Sequence, residues 1–176
     1  MKSSLLILPK KVKIEKQNNC FLEFSFFTGT FRSAMSKLDY LVCELGINCI
    51  QLMPVQAFLL GHDWGYTTKY FFAIEPSYGM VEDFKCFIDE CHGRGIRVMI
   101  DAVFNHSHTE CSLNKLDPTY WYYEGLHHPK HPEESWGPEF NYDFEDEEHR
   151  KIKPALKFIG DVIRFWIEEY HIDGIR

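Results

Sequence analysis

The sequence predicts an α/β chain built on parallel strands. Three observations support this reading. Short apolar runs alternate with segments of helical periodicity. One run, residues 97–104, is apolar at nearly every position, as a parallel strand buried on both faces requires. The helical segments end at glycines or begin at a proline, which is ordinary helix punctuation.

The elements follow in order. Residues 21–27 form a short apolar and aromatic run, consistent with a first strand. Phe31, Met35, Leu38, Leu41, Val42 and Leu45 recur at helical spacing, and Gly46 supplies a stop. Residues 47–55 read as a second strand, ended by Pro54. Phe84, Phe87, Ile88 and Cys91 fall at i, i+3, i+4 and i+7, a second amphipathic helix closed by Gly93 and Gly95. Residues 97–104 are the third strand. Pro154 opens a third helix with Ala155, Ile159, Val162 and Trp166 on one stripe, and residues 172–176 are the fourth strand.

Such alternation implies parallel strands joined by right-handed crossovers. Two architectures fit it, an open doubly wound sheet and a (β/α)8 barrel. A barrel takes about 250 residues, so about four β/α units in this chain would be its first half. Residues 105–145 are too long for an ordinary connection and are rich in His, Pro, Trp and Tyr. A loop insertion of that length after the third strand is expected to be functional. The expected organisation is therefore an N-terminal tail, 1–19, and a partial barrel domain, 20–176.

Composition narrows the function classes. Hydrophobic residues make up 45% and aromatics 16%, enough for one sizeable core in 176 residues. A net charge of −7 argues against a nucleic-acid partner. The one basic cluster, Lys10, Lys11, Lys13 and Lys16, reads as a solvated run. The apolar stretch at Leu5, Leu6, Ile7 and Leu8 is shorter than a signal-peptide core of about 7–15 residues. No run approaches the roughly 18 apolar residues of a membrane span. A cytoplasmic address without membrane association is expected. Cys20, Cys43, Cys49, Cys86, Cys91 and Cys111 are scattered, mostly in apolar segments, as reduced cysteines acting as small hydrophobes would be.

Ligands of parallel α/β proteins sit at the C-terminal ends of the strands. Asp101, Asn105 and His106 close the third strand and Arg176 the fourth; the loop after the second carries Asp63, Trp64, Gly65 and Tyr66. Strand alternation puts Met99, Asp101, Val103 and Asn105 on one face and Val98, Ile100, Ala102 and Phe104 on the other. The second set is apolar and should face helices, so Asp101 should point toward the strand carrying Arg176. A buried aspartate needs a partner, and a guanidinium fork suits it. His106, His108 and Cys111, like His127, His128 and His131, lack a zinc-site spacing, and no metal centre is expected of them.

Asp101-Ala102-Val103-Phe104-Asn105-His106 resembles the first signature of the alpha-amylase family of glycoside hydrolases and glucanotransferases, Asp-x-Val-x-Asn-His. Trp64-Gly65-Tyr66, Tyr78-Gly79 and the Asp83-Phe84-Lys85 helix resemble the family's approach to it, with a flavour of its branching and debranching members. Asp173-Gly174-Ile175-Arg176 resembles the opening of the second signature. The resemblance covers roughly residues 20 to 176. It implies that Tyr66 stacks on a sugar ring, with Trp64 also at the substrate, and that His106 hydrogen-bonds sugar hydroxyls. It further implies that Asp101 braces the site, that Arg176 orients the nucleophile and contacts substrate, and that Asn105 helps hold calcium in some members. No redox cofactor is implied, and the partner is an α-glucan or maltooligosaccharide.

Retaining glycoside chemistry needs a nucleophilic carboxylate and a carboxylic acid about 5–5.5 Å apart. The resemblance puts the nucleophile two positions past Arg176, and strand parity turns Asp173 away from Arg176. The expectation is the N-terminal part of an alpha-glucan-active catalytic domain that is inactive as this chain alone. The alternatives are a non-catalytic glucan-binding module and a half-barrel whose open edges pair with another copy or with a C-terminal half. Tyr120, Trp121, Tyr122, Tyr123, Trp136 and Phe140 are either a sugar platform or a loop mini-core, whereas Phe165 and Trp166 are core.

Overall fold

Strand β7 (Arg97–Ile100) has a parallel neighbour on each side. The description comes from a computed structural model covering residues 4–7, 11–15, 21–25, 29–59, 64–134, 136–148 and 151–176. One neighbour is β4 (Cys49–Leu52), in register Ile50↔Val98 and Leu52↔Ile100. The other is β8 (Gly174–Ile175), in register Met99↔Gly174 and Ile100↔Ile175. On its far side β4 pairs in parallel with β1 (Ser4–Ile7), which pairs antiparallel with β2 (Lys11–Glu15), which pairs antiparallel with β3 (Phe21–Ser25). The sheet order is β3-β2-β1-β4-β7-β8.

The start of the chain departs from expectation. One parallel partner of β4 is β1, and the predicted first strand, described over Phe21–Ser25, pairs antiparallel with β2. The segment assigned to a tail supplies β1 and β2. The sequence pattern is compatible with this: Ser4–Ile7 is a continuous apolar run after its serine, whereas Glu23 interrupts the apolar run of Phe21–Ser25. Lys10, Lys16, Cys20, Phe26, Phe27 and Asp63 lie outside the described residues.

The chain divides into two compact units. The first comprises Met1–Val55, Ile74–Ala102 and Trp166–Arg176; the second, Gln56–Ala73 and Val103–Phe165. In the first, the single helix expected over 31–45 is two, α1 (Phe31–Met35) and α2 (Leu38–Cys43). A reciprocal cap starts α1: Ser33 N–H donates to Thr30 Oγ1 at 3.2 Å, and Thr30 N–H to Ser33 Oγ at 2.9 Å. The break follows from Ser36, whose hydroxyl donates back to Ser33 O at 2.7 Å, and from a tight Lys37 N–H to Ala34 O bond. Helix α3 (Val81–Gly93) buries Phe84, Phe87, Ile88 and Cys91, the predicted stripe, and the chain leaves it through Gly95 at φ +72°. Phe84 is the hub, with Phe31, Tyr170 and Trp166 rings at 4.8, 5.1 and 6.0 Å. Burial pushes the Cys91 thiol up to about 12.

The second unit contains elements that the sequence pattern did not disclose. Strands β5 (Gln56–Phe58) and β6 (Thr68–Ile74) pair in a two-stranded sheet. The region after β7 is not a bare loop. It carries α4 (Ser112–Leu116), α5 (Pro118–Trp121) and isolated bridges at His106↔Glu139 and Tyr122↔Phe140. Tyr122 stacks on Phe140 at 4.9 Å, and Phe71 and Phe158 complete a small aromatic core. Helix α6 (Pro154–Tyr170) begins at the predicted proline and buries Ala155, Ile159, Val162 and Trp166. Among the described residues no helix is long and apolar enough to cross a membrane, and Cys43, Cys49, Cys86, Cys91 and Cys111 are free.

Phe84 is fully buried, so Phe84→Ala should cost about 3–5 kcal/mol, whereas truncating exposed Leu116 should change stability by less than about 0.5 kcal/mol. Urea titration of the two variants measures the contrast.

Candidate active site

Two groups of predicted site residues come together, each within its own unit. In the first unit, Val98 and Ile100 are fully buried and point to the apolar side of β7, which leaves Asp101 to the opposite side. Asp101 is 5% exposed, and Arg176 Nη1 donates to its Oδ2 at 2.9 Å. The backbone fixes the pair: Arg176 N–H donates to Ile100 O at 2.9 Å, and Ala102 N–H to Arg176 O at 3.2 Å. The Arg176 fork is thereby aimed at the Asp101 carboxylate.

Asp173, at the other end of β8, locks the same ladder. Its N–H donates to Val98 O at 2.7 Å, and its Oδ2 accepts from Val98 N–H at 2.7 Å. That oxygen also lies 2.8 Å from His92 Nε2 on α3. The carboxylate therefore serves the sheet and a helix, on the opposite side of its strand from the guanidinium of Arg176.

In the second unit, β6 and the segment before it run beside residues 106–108. His108 N–H donates to Thr68 O at 2.9 Å, and His106 Nε2 lies 3.1 Å from Tyr66 O. A carbonyl only accepts, so Nε2 carries the proton and Nδ1 is an acceptor. Nδ1 is buried and has no hydrogen-bond partner among the described residues. Burial is the main cause that lowers the His106 pKa, opposed by the Tyr66 carbonyl and Glu139. Tyr66 is half-buried, and it follows a turn in which Trp64 and Gly65 have φ of +57° and +92°. A left-handed tryptophan is costly and is found where a surrounding structure enforces it. Its indole is 69% exposed.

Sequence reasoning missed Gly137 and Glu139. Gly137 has φ +155°, and a Cβ there would come within 2.3 Å of Ser107 O, so the 137–139 segment lies directly against residues 106–107. Ser107 N–H donates to Pro138 O at 3.0 Å. Glu139 is 5% exposed; it accepts the Asn105 amide N–H at 2.9 Å on one oxygen and the His128 backbone N–H on the other. The Gly137-Pro138 pair after Trp136 was the available signal. The resemblance implied that Asn105 holds calcium in some members. Here its amide N–H donates to Glu139, and among the described residues no group of three His, Cys, Asp or Glu could hold a metal.

A family model described as alpha amylase, catalytic domain, matches residues 6–176. The chain belongs to the alpha-amylase family. A malto-oligosyltrehalose trehalohydrolase of Saccharolobus solfataricus is 34% identical over 170 residues, which is 94% of this chain and 28% of that protein. A 1,4-alpha-glucan-branching enzyme of Yarrowia lipolytica is 34% identical over 151 residues, 84% of this chain and 20% of that protein. Among solved structures, an Anoxybacillus alpha-amylase superposes with TM-score 0.69 at 28% identity, over 86% of this chain and 33% of that one. The chain thus spans about a fifth to a third of these relatives, and its parallel strands and helices are part of an alpha-amylase-type (β/α)8 barrel.

Asp173→Ala would leave the N–H of buried Val98 without its acceptor and should cost about 1–3 kcal/mol; Asp173→Asn, which keeps an acceptor, should cost less. Chemical denaturation of both variants checks the order. A lowered folded-state pKa at His106 means that the unfolded chain binds the extra proton more readily. Its contribution to stability is therefore present above the unfolded value of about 6.5 and lost as pH falls below it. His106→Gln should flatten the stability–pH curve in that window, as measured by denaturation at stepped pH.

Proposed function

We propose that these residues form the N-terminal part of a catalytic domain that acts on α-glucans by retaining hydrolysis or glucan transfer. In this reading Tyr66 lies against the apolar face of a glucosyl ring. A sugar hydroxyl donates to His106 Nδ1, and Arg176 holds and orients a nucleophilic carboxylate while Asp101 braces it from behind. Trp64 adds a flat apolar surface at the same substrate. The observation that carries the reading is the buried, partnerless Nδ1 of His106, on a neutral imidazole fixed by the Tyr66 carbonyl. An orphaned acceptor of this kind is costly and marks a place where a ligand donor belongs.

The family resemblance places the nucleophile two positions beyond Arg176. We therefore propose that this chain alone binds glucan without cleaving it, the carboxylates being supplied by residues outside these 176.

Calorimetric titration with maltoheptaose, alongside a reducing-sugar assay, tests the proposal. Binding without new reducing ends is expected, and Tyr66→Ala should weaken it about two- to tenfold, the range of an aromatic stacking contact. Release of reducing ends by the 176-residue chain would sink the claim of inactivity. Titration with no detectable heat at any concentration would sink the claim of glucan binding.

A further inference from the structure

The contact between His92 and Asp173 joins the last turn of α3 to the start of β8. His92 Nε2 lies 2.8 Å from Asp173 Oδ2, and a carboxylate only accepts, so Nε2 carries the proton. The same oxygen accepts from Val98 N–H at 2.7 Å. We propose that His92 is a positioning residue: through Asp173 it sets the pairing of β8 with β7, and so the backbone that presents Arg176 to Asp101. The service of that pair to catalysis rests on the glucan reading above.

The helix is a fixed support. Phe84, Phe87, Ile88 and Cys91 are buried along it, and Ile96 N–H donates to Cys91 O at 2.9 Å as the chain turns into β7. A close-packed face of this kind does not shift freely. The strand that His92 reaches is less constrained. Gly174 follows Asp173 with Met99 against it, and a Cβ there would lie 3.2 Å from Met99 Cγ and Cε. A glycine has more backbone freedom to lose than any other residue. Fixing Asp173 by both its N–H and its carboxylate removes part of that freedom just ahead of the glycine.

The grip is then carried along the strand. Asp173 N–H donates to Val98 O at 2.7 Å while its carboxylate takes Val98 N–H, so both backbone groups of one β7 residue are held. Three positions on, about 10 Å along the strand, Arg176 N–H donates to Ile100 O at 2.9 Å and Arg176 O accepts from Ala102 N–H at 3.2 Å. A slip of this pairing by one residue would turn the guanidinium to the other face, away from Asp101. Bulk stability is a poor account of the contact. The His92 and Asp173 side chains are 36% and 30% exposed, and an ion pair in such a setting contributes little. Its worth is directional: the His92 N–H keeps the Asp173 carboxylate turned onto Val98, where water would otherwise compete for it.

Amide hydrogen exchange, resolved by residue with NMR on the isotope-labelled chain, reads the positioning. His92→Leu should speed exchange of the Val98 and Arg176 amides about two- to tenfold, the range for loss of one hydrogen bond from a local opening. The Phe87 amide, in the middle of α3, should not change. His92→Gln, which keeps an N–H donor, should hold Arg176 near its unmodified rate. An unchanged Arg176 amide in His92→Leu would overturn the proposal, whatever Val98 does, because the contact would then be a local lock. Equal acceleration at Phe87 would overturn it by showing a general loss of stability, and so would His92→Gln exchanging as fast as His92→Leu. The readout involves no glucan, so each of these outcomes leaves the glucan reading standing, and absence of maltoheptaose binding leaves the positioning of Arg176 intact.

Discussion

The β7 ladder constrains the first unit more than any other feature. A strand with a parallel neighbour on each side has no free edge, and its side chains must alternate between two covered faces. Val98 and Ile100 take the apolar side, so Asp101 has to appear on the other. The same ladder carries the Arg176 backbone to Ile100 and Ala102, which sets the guanidinium at the carboxylate. At the start of β8 the Asp173 side chain adds a bond of its own to the ladder by accepting from Val98 N–H.

The second unit reaches order by different means. Its pairings are short bridges, and its stability comes from stacked and edge-on rings around Phe140 and Phe158. Close backbone contact then positions polar groups that the rings cannot. Gly137 lets the loop touch Ser107, and Glu139 joins Asn105 to His128. In this arrangement the Glu139 carboxylate ties the loop to Asn105.

Where one periodicity dominated, the sequence was readable. The α3 and α6 stripes, the β7 run over Arg97–Ile100 and the Asp101–Arg176 pairing followed from spacing and parity. Residues 101–104, predicted to continue the strand, lie beyond its end, and Ala102, Val103 and Phe104 are only partly buried. The misses occurred where local chemistry overrode the period. Ser36 divides a helix whose apolar pattern is continuous, and β5 and β6 lack a clean two-residue alternation of buried and exposed positions. The position of β1 was hidden because four apolar residues fit a tail, a strand or a leader equally well. Glu139 was unreadable for a further reason: a buried carboxylate is indistinguishable from a solvated one until its donors are known.

The cysteines carry a consequence of their own. Cys91 is fully buried in the first unit and Cys111 nearly so in the second, while Cys43 and Cys86 are exposed. Thiolate is the reactive form, and Cys91, with a pKa of about 12, offers almost none of it while folded. An alkylating reagent would meet the outer pair at once and each inner thiol only when its surroundings open. The chain therefore holds one internal clock per unit, and comparing the two would show whether the units breathe together or apart.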